Sequence, residues 1–150
     1  MQPVTQTRPV SKKALWAGYV MSAIPVLMLF FSAAMKFAKP PPVVEGFKHL
    51  GLPENLVFGL GVLEVGCTLL YVIPRTSVLG AILLTGYLGG AVLAHLRVGD
   101  AFFGPVIFGV LIWGGLFLRD PRLRALIPLR RQPASALAEQ RPAQVATVGE

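Results

Sequence analysis

The chain has 150 residues and a net charge of +7, and 54% of its residues are hydrophobic while only 14% are charged. Soluble domains are about 45–50% apolar and about 25% charged, so this composition excludes an ordinary soluble domain and predicts burial in lipid. One cysteine and two histidines exclude a disulfide and a cysteine-rich metal site within the chain, and we expect no intrinsic cofactor. The basic residues flank long apolar runs instead of forming a polar face, which argues against nucleic acid as a partner.

Four apolar stretches follow one another along the chain, at residues 14–36, 55–73, 78–96 and 101–118. At about 1.5 Å per residue, each can cross a hydrocarbon core about 30 Å thick. A segment in lipid has to pair its own backbone groups, which only a helix or a closed barrel does. The sequence therefore predicts an all-α polytopic membrane protein, with four transmembrane helices in an antiparallel bundle over residues 14–118.

The connection between the first two stretches is the longest, and its pattern predicts a short helix lying in the membrane interface. Three prolines precede this segment, and Gly51 closes it. Its apolar residues fall opposite its charged ones; they are Val43, Val44, Phe47 and Leu50, against Glu45, Lys48 and His49.

Lysine and arginine predict the orientation, because most of them lie in residues 1–13, in the turn at Arg75 and in residues 119–150. The positive-inside rule then places both termini in the cytoplasm, with the chain in the inner (plasma) membrane. We expect residues 119–150 to be a basic tail that becomes disordered from about Gln132. A signal peptide cleaved near Ser32 is an alternative for the first stretch, although the apolar segment is longer than usual for one.

Glu64 is an acidic residue in the middle of the second apolar stretch. A carboxylate at the centre of a bilayer costs at least about 2.5–3.5 kcal/mol, so it is by default a functional-site hypothesis. Residues three or four positions apart lie on one face of a helix and form a stripe along it. A stripe that contains polar residues should face the bundle interior and not the lipid. The stripe in this stretch is Gly61, Glu64, Thr68 and Tyr71, and the matching stripe in the first stretch is Gly18, Ser22, Pro25, Leu29, Ser32 and Lys36.

Lys36 and His95 end the first and third stretches on the same side of the predicted bundle. Glu64 should lie about 13 Å below that surface, and a lysine stem covers roughly half of this distance. We therefore expect either a water-filled cavity that links the three residues or a protonated Glu64 bonded to Thr68 or a neighbouring helix. Gly86 and Gly90 predict a close helix contact. The candidate residues for ligand binding or proton handling are Glu64, Lys36, His95, Ser32, Thr68 and Tyr71.

Three motifs occur in order at residues 30–37 (FFSAAMKF), 46–53 (GFKHLGLP) and 60–65 (LGVLEV), with a weaker one at 94–97 (AHLR). Together they resemble the DoxX-like family of small four-helix membrane proteins, within the DoxX/DoxD grouping, over residues 14–129. Ala33 and Ala34 stand where the family often has glycine, which would narrow the space beside Lys36. The resemblance implies the fold and a membrane location. The family name, taken from a subunit of an archaeal thiosulfate:quinone oxidoreductase, and relatives implicated in oxidative stress imply a link to quinones and redox stress.

Three functions stay open at this point. The first is a membrane subunit that binds a quinone-type lipophile for an oxidoreductase or oxidative-stress system, with electrons supplied by a redox protein partner. The second is a small-solute or proton carrier or channel with Glu64 as its coupling group. The third is a scaffold or assembly protein, and the small-residue faces also suit a homo-oligomer. No nucleophile and base pair is recognisable, so we do not expect catalysis by this chain alone.

Overall fold

The computed structural model describes residues 11–126, and all regular structure in that range is helical. The helices there are α1 (Lys12–Ala38), α2 (Pro41–His49), α3 (Asn55–Val72), α4 (Ser77–Val98), α5 (Phe103–Arg119) and α6 (Pro121–Leu126). The predicted disorder after Gln132 and most of the predicted N-terminal tail lie outside the described residues.

Four helices form a closed ring, in which α1 packs against α3 and α5, and α4 packs against the same two helices. The core of the ring contains Leu29, Tyr71, Leu84, Ile112 and Leu116. Large apolar side chains also cover the outside, and several of them are more than 60% exposed; these include Trp16, Leu27, Phe31, Leu93 and Val110. An apolar exterior of this extent suits lipid and not water as the surrounding solvent.

Three of the ring helices, α1, α3 and α4, are long and apolar enough to cross a membrane. The fourth, α5, is equally apolar but has 17 residues. The predicted stretches differ from these helices by only one or two residues at most ends. Such differences are normal at helix ends, where the last turn frays.

The prediction that polar stripes face the interior is confirmed for α3, where the whole predicted stripe is buried. In α1 the stripe is buried from Gly18 to Leu29. Ser32 and Lys36 are only half-buried, and Ala33 takes the buried position at this end of the helix. The polar side chains of Ser32 and Lys36 therefore lie at the edge of the core, and not within it as predicted.

The predicted short helix between the first two stretches is α2, and its two faces are as expected. Val43, Val44, Phe47 and Leu50 are half-buried, whereas Glu45, Lys48 and His49 are exposed. Gly51 has a positive φ of 67°, a conformation that glycine adopts without strain. The helix therefore turns its apolar side towards the ring.

The helix α6 was not predicted, because residues after 119 were interpreted as a basic tail. Asp120 Oδ1 accepts a hydrogen bond from the backbone N–H of Arg122 at 2.8 Å, and Pro121 occupies the first helical position. An acidic cap followed by proline is a helix-start signal. Leu123 is buried, and Arg124 Nε donates to the Phe117 carbonyl at 2.7 Å. These contacts hold α6 against α5.

Glycines allow the closest helix contacts, but not at Gly86 and Gly90, where such a contact was predicted. A Cβ atom on Gly80 of α4 would overlap the backbone of Tyr71 in α3, and one on Gly18 would lie 3.0 Å from the Gly115 carbonyl oxygen of α5. Nothing lies within 4 Å of the Cβ positions of Gly86 and Gly90. The expectation of a helix contact there is wrong, because this part of α4 borders a cavity.

Replacing Gly80 with alanine should destabilise the bundle, since the added methyl group would overlap the Tyr71 backbone. Overpacking of this kind costs about 1–3 kcal/mol, so the melting temperature in detergent should fall by several degrees. Gly89→Ala is the matched control on the same helix, because nothing lies within 4 Å of its Cβ position. Equal melting temperatures for the two variants would contradict a close contact between α3 and α4.

Candidate ligand cavity

A cavity of about 630 Å³ lies where α1 and α4 end and α3 and α5 begin. Small-molecule sites usually occupy about 300–1,000 Å³, so this cavity has the size of a ligand site. Its lining is mostly apolar. The exceptions are five side chains with polar groups, namely Ser32, Lys36, Glu64, Tyr87 and His95.

An ion pair between Lys36 and Glu64 forms the polar end of the cavity. Lys36 Nζ lies 2.9 Å from Glu64 Oε2 and donates a second hydrogen bond to Ser32 Oγ at 2.6 Å. The two charged side chains are 12% and 2% exposed. A carboxylate buried this deeply requires a partner, and Lys36 supplies it from the neighbouring helix.

The expectation that Lys36 would fall short of Glu64 is wrong. The Cβ position of Gly61 lies 3.3 Å from Lys36 Cβ, so the lysine is level with Gly61, one helical turn from the glutamate. Phe37 packs over Gly61, where a Cβ atom would meet its ring at 2.8 Å. The sequence estimate placed Lys36 at the membrane surface, level with the start of α3. In the structure the end of α1 instead lies beside Gly61, which is closer to the middle of α3.

The expectation of a local bond from Thr68 to the Glu64 carboxylate is also wrong, whereas the other expected partner, a group on a neighbouring helix, is present as Lys36 of α1. Thr68 Oγ1 donates to the backbone carbonyl of Glu64 at 2.7 Å, which leaves the carboxylate to Lys36. A threonine that bonds to the carbonyl four residues before it satisfies its own hydroxyl inside the helix. Thr68 is buried, but it does not line the cavity.

His95 lines the same cavity as the ion pair, as the sequence suggested. Its Nδ1 lies 2.7 Å from the Ala91 carbonyl oxygen. A carbonyl only accepts hydrogen bonds, so Nδ1 carries the proton in this contact. In the neutral ring, Nε2 is then a hydrogen-bond acceptor.

Tyr87 also lines the cavity that Glu64 lines. The residue was not among the predicted site residues. The signal for it was its spacing, because Tyr87, Ala91 and His95 follow one another at intervals of four on one face of α4. The face that carries His95 into the cavity therefore carries Tyr87 as well.

Tyr71 lies on the same helical stripe as Glu64, but its hydroxyl forms hydrogen bonds between helices and does not line the cavity. Its hydroxyl donates to the Ile112 carbonyl at 2.9 Å and lies 2.8 Å from Ser22 Oγ, which ties α3 to α5 and α1. The Arg119 guanidinium lies 4.8 Å from the centre of its ring. Ser32, Lys36, Glu64 and His95 thus meet at one cavity, whereas Thr68 and Tyr71 lie outside its lining.

The segment at residues 47–52 covers the end of the cavity, and we call it the cover. It contributes three apolar lining residues, Phe47, Leu50 and Leu52. Arg97 Nη2 donates to the Leu50 carbonyl, and His49 Nε2 lies 3.0 Å from Asp100 Oδ2. These two contacts fasten the cover to the end of α4 and to the residue that follows its C-cap.

A family model described as the DoxX-like family matches residues 5–115, a range that contains every residue of the cavity lining. The chain belongs to the DoxX-like family. Together with its apolar helices, this membership identifies the chain as a membrane protein. No curated protein and no solved structure matches the chain at a significant level. Within residues 11–126 of this DoxX-like protein, no three His, Cys, Asp or Glu side chains are grouped to hold a metal ion.

Replacing Lys36 with methionine should destabilise this DoxX-like protein, because the buried carboxylate of Glu64 loses its partner. Removing one member of a buried pair costs about 3–5 kcal/mol. The double variant Lys36→Met/Glu64→Gln should recover most of the loss, since neither charge is then left alone. Unfolding free energies from SDS titration of mixed micelles measure both effects.

Lys48→Met is the matched control for this experiment, because Lys48 is an exposed lysine of α2. Its unfolding free energy should stay close to that of the wild type. A Lys36→Met variant as stable as Lys48→Met would contradict a buried ion pair.

Proposed function

We propose that this DoxX-like protein is a membrane subunit that binds a small lipophile of the quinone type for an oxidoreductase or oxidative-stress system. The observation that carries the proposal is the Lys36–Glu64 pair, which is buried at the end of a mostly apolar cavity of about 630 Å³. A scaffold needs polar residues only where helices touch. Here the polar side chains surround a space large enough for a ligand.

The hydrogen-bonding groups at the polar end suit both redox forms of a quinone head group. An oxidised quinone has carbonyl oxygens that accept hydrogen bonds, and the Lys36 ammonium and the Tyr87 hydroxyl are donors. The reduced form has hydroxyl groups that donate, and Glu64 and the Nε2 atom of a neutral His95 are acceptors.

Within this function, the chain binds and orients its ligand, while a redox protein partner supplies the electrons. Residues 11–126 carry no cluster of metal-ligating side chains, and a quinone exchanges electrons with a cofactor held elsewhere. A proton or solute carrier that uses Glu64 as its coupling group is the second candidate. The pairing of Glu64 with Lys36 and the cover over the cavity favour the binding function over a carrier.

We further propose that α5 completes an antiparallel bundle of four membrane spans in the plasma membrane, with both termini in the cytoplasm. The 17 residues of α5 extend about 26 Å, which is close to the thickness of the hydrocarbon core. Its packing against α1 and α4 supports a position inside the ring. In this topology the cavity lies in the outer half of the membrane.

Reporter domains fused to the two ends test this topology. Four crossings predict that reporters at residue 1 and residue 150 are both on the cytoplasmic side, as measured with green fluorescent protein and alkaline phosphatase fusions. A further fusion after Asp100, at the start of the connection to α5, should report from the outer side. Termini on opposite sides would contradict four spans.

The ligand itself is tested by extraction. Mass spectrometry of an organic extract from gently purified protein should detect a stoichiometric quinone-type lipophile. The content should fall about tenfold or more in Glu64→Gln, because a hydrogen bond to a charged group is worth about 1.5–3 kcal/mol.

Thr68→Val is the matched control for the extraction, since Thr68 is a buried polar residue of the same helix that does not line the cavity. Its ligand content should equal that of the wild type. Only bulk lipid in every sample would contradict the proposed function, and a pH-dependent flux lost in Glu64→Gln would replace it with the carrier.

A further inference from the structure

We infer that the ligand reaches the cavity sideways from the bilayer, between α3 and α4, and that it is an amphiphile with a ring-sized polar head and a long apolar tail. This inference rests on the proposed function and names the class of molecule that the cavity binds. The head lies at the Lys36–Glu64 pair. The tail leaves through the lateral opening, which we define by Leu56 and Leu63 of α3 and by Gly86 and Gly90 of α4.

The lateral opening is visible in the exposure of its residues. Leu56 and Leu63 line the cavity and yet are 43% and 50% exposed. Gly86 and Gly90 line it from α4, and both are exposed with nothing within 4 Å of their Cβ positions. Residues that face both the cavity and the surroundings mark a continuous path between the two.

The geometry of α3 and α4 explains why the gap lies between them. The helices are joined by the short turn at residues 73–76, and near it a Cβ on Gly80 would overlap the Tyr71 backbone. Ten residues further along α4, Gly90 has no such neighbour. The two helices therefore touch near the turn at Gly80, whereas further along α4 the cavity lies beside Gly86 and Gly90.

Side chains close the two neighbouring contacts of the ring at one place each. Phe37 packs over Gly61 between α1 and α3, beside the ion pair. Trp113 Nε1 donates to Thr85 Oγ1 at 2.8 Å between α4 and α5. These two places are closed, whereas the lateral opening between α3 and α4 has exposed residues along both of its edges.

The cover closes the end of the cavity that faces away from the turn. Its lining residues are apolar, and Arg97 and Asp100 fasten it through Leu50 and His49. A water-soluble solute would have to pass this apolar segment. A membrane-dissolved molecule instead meets an opening whose edges are leucine and glycine, which a hydrocarbon chain passes without losing hydrogen bonds.

Two quinone probes that differ only in their tails test this path. Decylubiquinone carries a ten-carbon tail, and ubiquinone-0 has the same head without it. Each is titrated into the full-length protein in nanodiscs, and native mass spectrometry measures the bound fraction. Gly86→Leu and Gly90→Leu should weaken decylubiquinone binding about tenfold, because their side chains occupy the space of the tail, and should change ubiquinone-0 binding less than about twofold.

Gly59→Leu and Gly66→Leu are the matched controls, because both glycines are exposed on α3, have nothing within 4 Å of their Cβ positions and do not line the cavity. They should bind both probes as the wild type does. Equal loss of both probes in Gly86→Leu and Gly90→Leu would overturn the lateral opening, since the glycines would then shape the head site. Unchanged decylubiquinone binding would overturn it too. A wild-type protein that binds neither probe would instead refute the proposed function.

Discussion

The burial of one charged pair in an apolar bundle is the constraint on which the rest of this structure depends. The Glu64 side chain is 2% exposed, and a carboxylate in such surroundings is tolerated only with a partner. Lys36 meets it because α1 approaches α3 closely at Gly61, where Phe37 packs over a position without a side chain. The contact that stabilises the bundle is therefore the same contact that forms the polar end of the cavity.

Glycine has two opposite uses in this bundle, and together they produce the cavity. At Gly80 and Gly18 the missing side chain lets helices touch, which closes the half of the ring that contains Tyr71. At Gly86 and Gly90 no neighbouring atom fills the space that a larger side chain would occupy, so this space stays open. The same residue type therefore forms close helix contacts at one end of the ring and borders the cavity at the other. The difference is whether a neighbouring helix packs against the glycine.

Hydropathy and helical spacing predicted the helices and the inward face of α3, because both depend on the order of residues within one segment. The pairing of Lys36 with Glu64 depends on how far α1 slides along α3, and spacing within a segment does not contain that distance. For the same reason Tyr71 shared a stripe with Glu64 in the sequence but lies outside the cavity. Two features did have a local signal in the sequence that was not used. Tyr87 lies eight residues before His95 on the same helix face, and Asp120 followed by Pro121 is a helix-start signal for α6.

Photo-crosslinking tests the central claim most directly, namely that a quinone-type head binds beside Lys36 and Glu64. An azidoquinone with an isoprenoid tail is illuminated with the protein in liposomes, and the labelled peptides are mapped by mass spectrometry. We predict labels on the α4 face of Tyr87, Ala91 and His95, which line the cavity, and their loss on addition of unlabelled quinone. Labels confined to lipid-facing residues such as Leu27 and Leu93, without competition, would contradict the account.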